Sequence, residues 1–158
     1  LKLTFNKNID DEKFDFLRKV SKAEWDTLLF FFGVILSVGG LGFLGYLTLV
    51  SEFLYGGLGP TYANFIVGIL SAIVDNIPVM FAVITMNPSM VTDQWLLVTL
   101  TTGVGGSLLS IGSAAGVALM GQARGHYTFF GHLKWTPVIF IGYVASVIVH
   151  MFLSGLAV

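Results

Sequence analysis

From residue 27 onward the chain is written in long apolar runs separated by short polar breaks, and this alternation predicts its elements. Residues 27–50 hold no charged side chain. As a helix they reach about 36 Å, enough to cross a hydrocarbon core of about 30 Å with some tilt. Gly40, Gly42 and Gly45 spell G-x-G-x-x-G within this run. With no strand before it and no ribose-binding acid after it, the motif is no nucleotide loop; the glycines read as a close helix-packing surface. A turn-rich break, SEFLYGGLGP at 51–60, comes next. Further apolar segments cover 62–86, 94–120 and 136–156. Between the last two lie a polar turn at 121–126 and an aromatic arm at 127–135 suited to a membrane interface.

Two of these segments are interrupted. Within 62–86, Pro78 removes a backbone donor and disfavours helical geometry at Ile77, so the helix should break where Asp75 and Asn76 sit. Residues 62–74 reach about 20 Å as helix and residues 79–86 about 12 Å, too short for either limb to cross. A re-entrant hairpin with Asp75, Asn76, Ile77 and Pro78 at its tip fits those lengths. Within 94–120, Gly103, Gly105, Gly106, Gly112 and Gly116 are interleaved with Ser107, Ser110 and Ser113. Glycine is a poor helix former, and 95–104 covers only about 15 Å, so this helix breaks near mid-depth. Two discontinuous segments meeting there is the arrangement of a secondary transporter's binding site. Plain helix packing is the alternative for Gly112 and Gly116.

Charge sharpens the picture. Between Asp26 and Arg124 the charged residues are Glu52, Asp75 and Asp93, and the first and last of these fall in polar breaks. Asp75 is thus the carboxylate placed in the hydrocarbon, and such a group at a helix break points to function; the plainer alternative is a hydrogen-bonded packing residue. The composition, 55% hydrophobic and 11% charged, is that of an integral membrane protein. A net charge of −1 gives nucleic acid no basic surface, and with no cysteine there are no disulfides or thiolate sites. No zinc motif or Ser–His pair at helical spacing suggests an enzyme. Residues 1–26 carry six of the eight Lys and Arg and a capping-box pattern at Ser21 and Glu24, and read as a solvated cytoplasmic lead-in. With the hairpin re-entrant, breaks 51–60 and 87–93 lie outside, Arg124 and Lys134 return inside, and the C-terminus is outside. His126, His132 and His150 read as solvated, interfacial or packed. The chain opens on Leu-Lys-Leu, as a fragment would.

The stretch SAIVDNIPVMFAVITMNP, followed by TLTTGVGGSLLSIGSAAGVALMGQARGHYTFFGHLKWTPVI, resembles the C-terminal part of bacterial NhaD-type sodium/proton antiporters. These belong to the ion-transporter superfamily, with arsenite and dicarboxylate carriers. The likeness runs from about Trp25 to Phe152. It implies an all-α integral membrane fold, half of an inverted-repeat transporter, with a re-entrant helical hairpin and a broken transmembrane helix. It implies that Ser71, Asp75 and Asn76 on the hairpin are transport residues faced by Ser110 and Ser113, with Pro78, Gly105, Gly106 and Gly112 at the helix breaks. It further implies a bacterial inner-membrane location, a partner N-terminal half, compatibility with a homodimer, and exchange of Na+ for H+ by alternating access, with Li+ a second candidate cargo.

The chemistry of the residues agrees. Sodium is a hard cation that takes oxygen ligands. Asp75 offers charge, and Asn76 and Ser110 offer neutral oxygens. Ser71 and Asp75, four apart, share one face of a helix. A proton and a cation that use one carboxylate compete, which is what antiport needs. No cofactor is called for, since Na+ and H+ are cargo. The competing expectations are an anion or dicarboxylate carrier, which Asp75 would repel with no Lys or Arg nearby, and a scaffold that transports nothing.

Overall fold

The computed structural model describes residue 20 and residues 25–155. The lead-in expected at 1–26 to be cytoplasmic, its capping box included, therefore lies almost wholly outside the described residues. The chain divides into two compact units, Leu1–Gly33 and Val34–Val158. The described part of the first is little more than the opening of one helix; the second holds every other element. Among the described residues the secondary structure is entirely helical.

Helix α1, Trp25–Phe43, ends well before the expected residue 50. Its stop is Gly45, which takes the left-handed conformation (φ 82°) that glycine adopts without steric penalty. Helix α2, Tyr46–Ser51, restarts there and runs into a π-helical turn, Glu52–Gly56, inside the stretch expected to be a polar break. The bend between Leu28–Phe43 and Tyr46–Gly56 is 82°. The glycine motif is thus mainly a corner and not a packing surface. A methyl on Gly42 would touch the Thr85 and Leu47 side chains, whereas Gly40 has open space around it.

Helices α3, Pro60–Leu70, and α4, Asn76–Met86, form the two limbs of the next segment. Proline sits in the first turn of both, where its missing N–H would have had no helical partner. Pro78 therefore does not break the helix, as the sequence reading had it; it belongs to the start of the second limb. The interruption lies upstream, at residues 71–75. There the chain tightens into turns, with Ala72 N donating to Ile69 O and Ile73 N to Leu70 O, each at 3.0 Å.

Helix α5, Thr92–Gly105, is the axis of the second unit. Gln94, Leu97, Val98, Thr101, Thr102 and Gly105 are buried along it at helical spacing. Leu97 joins a cluster with Ala72, Leu108, Tyr143 and Val147, and Val98 joins another with Tyr55, Ala63, Val67 and Val83. After an eight-residue gap in the helix at 106–113, helix α6 covers Ala114–Gln122. The short α7, Phe129–Leu133, and the long α8, Thr136–Ser154, complete the order.

Among the described residues, α8 alone is long and apolar enough to cross a membrane, with Leu28–Phe43 and Tyr46–Gly56 passing that test only as a bent pair. Large apolar side chains such as Phe43, Ile141, Phe152 and Leu153 stand exposed, a surface suited to lipid or protein contact. Helix α8 is fastened to the rest at three levels. Thr136 Oγ1 donates to Leu108 O (2.8 Å), Tyr143 Oη to Phe65 O (2.8 Å), and His150 Nε2 to Asp93 O (3.0 Å).

Candidate functional site

The two interruptions, 71–75 and 106–113, pack against each other with almost no side chain between them. A methyl on Gly112 would stand 2.6 Å from Ala72 O and 2.8 Å from Ser71 O. One on Gly106 would stand 3.2 Å from Asn76 Cβ. One on Gly105 would strike the Gly68 carbonyl and stand 2.6 Å from Ser71 Oγ. Contacts this close are open only to glycine, which explains its density here. Gly105 does not break α5; it is the last helical residue, and Gly106 caps it.

Ser71 is fully buried at this junction. Its hydroxyl lies 2.6 Å from Gly68 O and 2.9 Å from Thr102 O, so its one proton is shared between the two interrupted elements. Asp75 is half-buried and caps α4, its Oδ1 accepting from Ile77 N at 3.4 Å. The expected helical register between Ser71 and Asp75 does not exist, because α3 ends at Leu70. Asn76 opens α4 half-buried, with its side chain beside Gly106.

On the other side of the junction the two serines differ. Ser113 caps α6, accepting from Gly116 N at 3.2 Å. Ser110 is 2% exposed, and its hydroxyl finds no hydrogen-bond partner among the described residues. A buried hydroxyl left unpaired costs about 1–3 kcal/mol, so this oxygen is the clearest unmet ligand at the junction. No hydrogen bond among the described residues joins Asp75 to Ser110 or Ser113. No group of three His, Asp or Glu comes together there as a metal cluster. The two interruptions carry one carboxylate and several neutral oxygens, a donor set that suits a monovalent ion better than a transition metal.

The sequence reading missed a second polar group. Asn64, fully buried on α3, donates to Gln94 O and to Gln94 Oε1, each at 2.9 Å, and accepts from Tyr55 Oη at 3.2 Å. Gln94 Nε2 in turn donates to Thr61 Oγ1 at 2.7 Å. This network ties α3 to the start of α5, and Thr101 Oγ1 adds a bond to Asn64 O (2.9 Å). The signal was available: Asn64, Gly68 and Ser71 recur at helical spacing as small or polar positions on one side of α3.

Residues 13–103 match the family model described as citrate transporter (CitMHS). The Na(+)/H(+) antiporter NhaD of Alkalimonas amylolytica is 70% identical over 142 residues, covering 90% of this chain and 29% of that protein. The NhaD of Vibrio parahaemolyticus is 74% identical over 130 residues, covering 82% and 31%. Sodium/proton antiporter 1 of Arabidopsis thaliana is 32% identical, covering 87% and 24%. The chain thus spans about three-tenths of the length of the bacterial relatives. No solved structure matches it.

Proposed function

This chain belongs to the citrate-transporter family of membrane carriers, as an NhaD-type member of the ion-transporter superfamily, and on that premise we propose that it forms part of a bacterial inner-membrane carrier exchanging Na+ for H+. The single observation that carries the reading is the close packing of two interrupted helices, one restarting under the Asp75 cap and the other holding the unpaired Ser110 hydroxyl in its break. Asp75 supplies the charge that sodium and protons take in turn. Ser110 and Asn76 supply neutral oxygen, Ser113 lies within the same break, and Ser71 holds the two interruptions together. Alternating access moves this junction between the two faces of the membrane.

An anion carrier fits less well. The only Lys and Arg among the described residues are Arg124 and Lys134, both exposed, and Arg124 Nε is spent on Gly121 O. A carboxylate cargo would therefore face Asp75 with no cation to offset it.

The two serines give the test of the site. Ser110→Ala removes an unpaired buried hydroxyl, so it should leave folding unchanged or slightly improved while weakening sodium binding by about 0.5–1.5 kcal/mol, up to about tenfold. Ser113→Ala should cost about 1 kcal/mol of stability through its cap, with or without sodium. Sodium dependence of exchange and thermal unfolding, measured on both variants of the full-length carrier, separate the roles. Unchanged sodium dependence in Ser110→Ala would remove that residue from the site.

Membrane topology follows from the hairpin. If α3 and α4 enter and leave on one side, cysteines at Gly56 and Ser89 should both react from outside with an impermeant thiol reagent in intact cells. Both positions are exposed, and Gly56 has open space, whereas a side chain on neighbouring Gly57 would collide with Phe53 O. Labelling from opposite sides would make 62–86 a full crossing and not a re-entrant hairpin.

A further inference from the structure

The break at 106–113 is held from outside by the arm that precedes α8. Helix α5 ends at Gly105, and the carbonyls that follow lack the partners a continuing helix would give them. Two successive ones are met, one by the arm and one by the first residue of α8. His132 lies with Nε2 3.0 Å from Ser107 O, and Thr136 Oγ1 donates to Leu108 O at 2.8 Å. A carbonyl can only accept, so His132 carries its proton on Nε2. Nδ1 is then free to accept from Tyr127 Oη, 2.6 Å away, and the two rings pack edge to face at 5.7 Å.

The arm is stiff enough to hold what it grips. Thr128 caps α7 by accepting from Gly131 N (3.1 Å), and Trp135 N donates to His132 O (2.8 Å), carrying the chain into α8 with hardly a gap. Ser110 lies two residues beyond Leu108. On its other side a methyl on Gly116 would strike Ser110 O, so α6 closes on it from there.

We propose that Tyr127, His132 and Thr136 are positioning residues for the ion site: they fix the start of the break, and through it the place of Ser110, without touching the ion. The inference rests on the break being the sodium site, as proposed above. It also revises the reading of His132 as a merely interfacial residue.

The test uses the full-length carrier in two measurements, with His132→Ala and Thr136→Val against the conservative His132→Gln and Thr136→Ser. Glutamine can place an amide N–H near the position of Nε2, and serine keeps the hydroxyl. Without sodium, amide hydrogen exchange across 106–113 should be several times faster in the first pair and close to wild type in the second. The sodium concentration for half-maximal exchange should rise about three- to tenfold in the first pair, with a smaller change in maximal rate, and return in the second. Unchanged amide exchange in the first pair would overturn the brace itself. Faster amide exchange with unaltered sodium dependence would overturn the positioning role, and Ser110→Ala then assigns the fault: weakened sodium binding there keeps the break as the site, and unchanged binding removes it. Failure of glutamine and serine to restore either measurement would mean that these hydrogen bonds are not the agents.

Discussion

Asp75→Asn should leave the carrier folded and in the membrane while exchange falls close to background at every pH. The substitution is unusually clean because of where Asp75 sits. It caps α4 through Oδ1, and asparagine is as good a cap as aspartate. What folding loses is the favourable charge at a helix N-terminus, about 0.3–1 kcal/mol. What transport loses is the group that, on the proposed mechanism, both ions use. Added sodium should not rescue the variant, since no carboxylate remains to receive it. In the wild type, raising sodium should move the acidic limb of the activity profile to lower pH, because more protons are then needed to displace the metal. The measurement is sodium-driven proton movement in vesicles, both proteins across a range of pH. Substantial exchange by Asp75→Asn would reduce this residue to its cap.

Gly105→Ala and Gly103→Ala should have opposite effects, though the two positions are only two residues apart on the same helix. The methyl at 105 would run into the Gly68 carbonyl and the Ser71 hydroxyl, and backbone cannot rotate away as a side chain can. Relief requires α3 and α5 to separate, which would also disturb the Thr101 bond to Asn64 O. Overpacking commonly costs 1–3 kcal/mol, and with the immovable Gly68 backbone as the nearest obstacle about 3 kcal/mol or more is expected. At 103 nothing lies within reach of the methyl, so alanine should gain up to about 1 kcal/mol of helix propensity. Thermal unfolding of the two variants in detergent checks both signs. Equal stability would mean that the α3–α5 contact is looser than its geometry.

How much of this was legible in the sequence depends on how local the cause is. The interruption near Asp75 can be read because proline and a polar pair stand together in an apolar run, although Pro78 belongs to the start of the second limb. The break at 106–113 can be read from its glycines and serines. Gly45 could not be placed so easily: a glycine in an apolar helix serves packing or a corner equally well, and only its positive φ decides. The Asn64–Gln94 pair is hidden for another reason. Each is an ordinary polar residue in its own segment, and the partner lies thirty positions away. His132 is the same case: its bond to Ser107 O spans twenty-five positions, and nothing in its neighbours announces it.

The contact between α3 and α5 also has a kinematic consequence. Helices that meet through side chains can shear, because each layer of rotamers offers a series of small steps. At Gly105 that layer is nearly absent, since the Gly68 carbonyl and the Ser71 hydroxyl leave no room for a methyl, and the Asn64–Gln94 bonds fasten the same two helices, so the pair has no easy sliding coordinate and travels as one piece. Whatever displacement the piece undergoes must be absorbed at its attachments. One of these is Gly59, at φ 78° and ψ 159°, in a region of backbone space that is almost glycine's alone. A residue without a side chain is thus one joint of this piece, set at the mouth of the limb that leads to the proposed ion site.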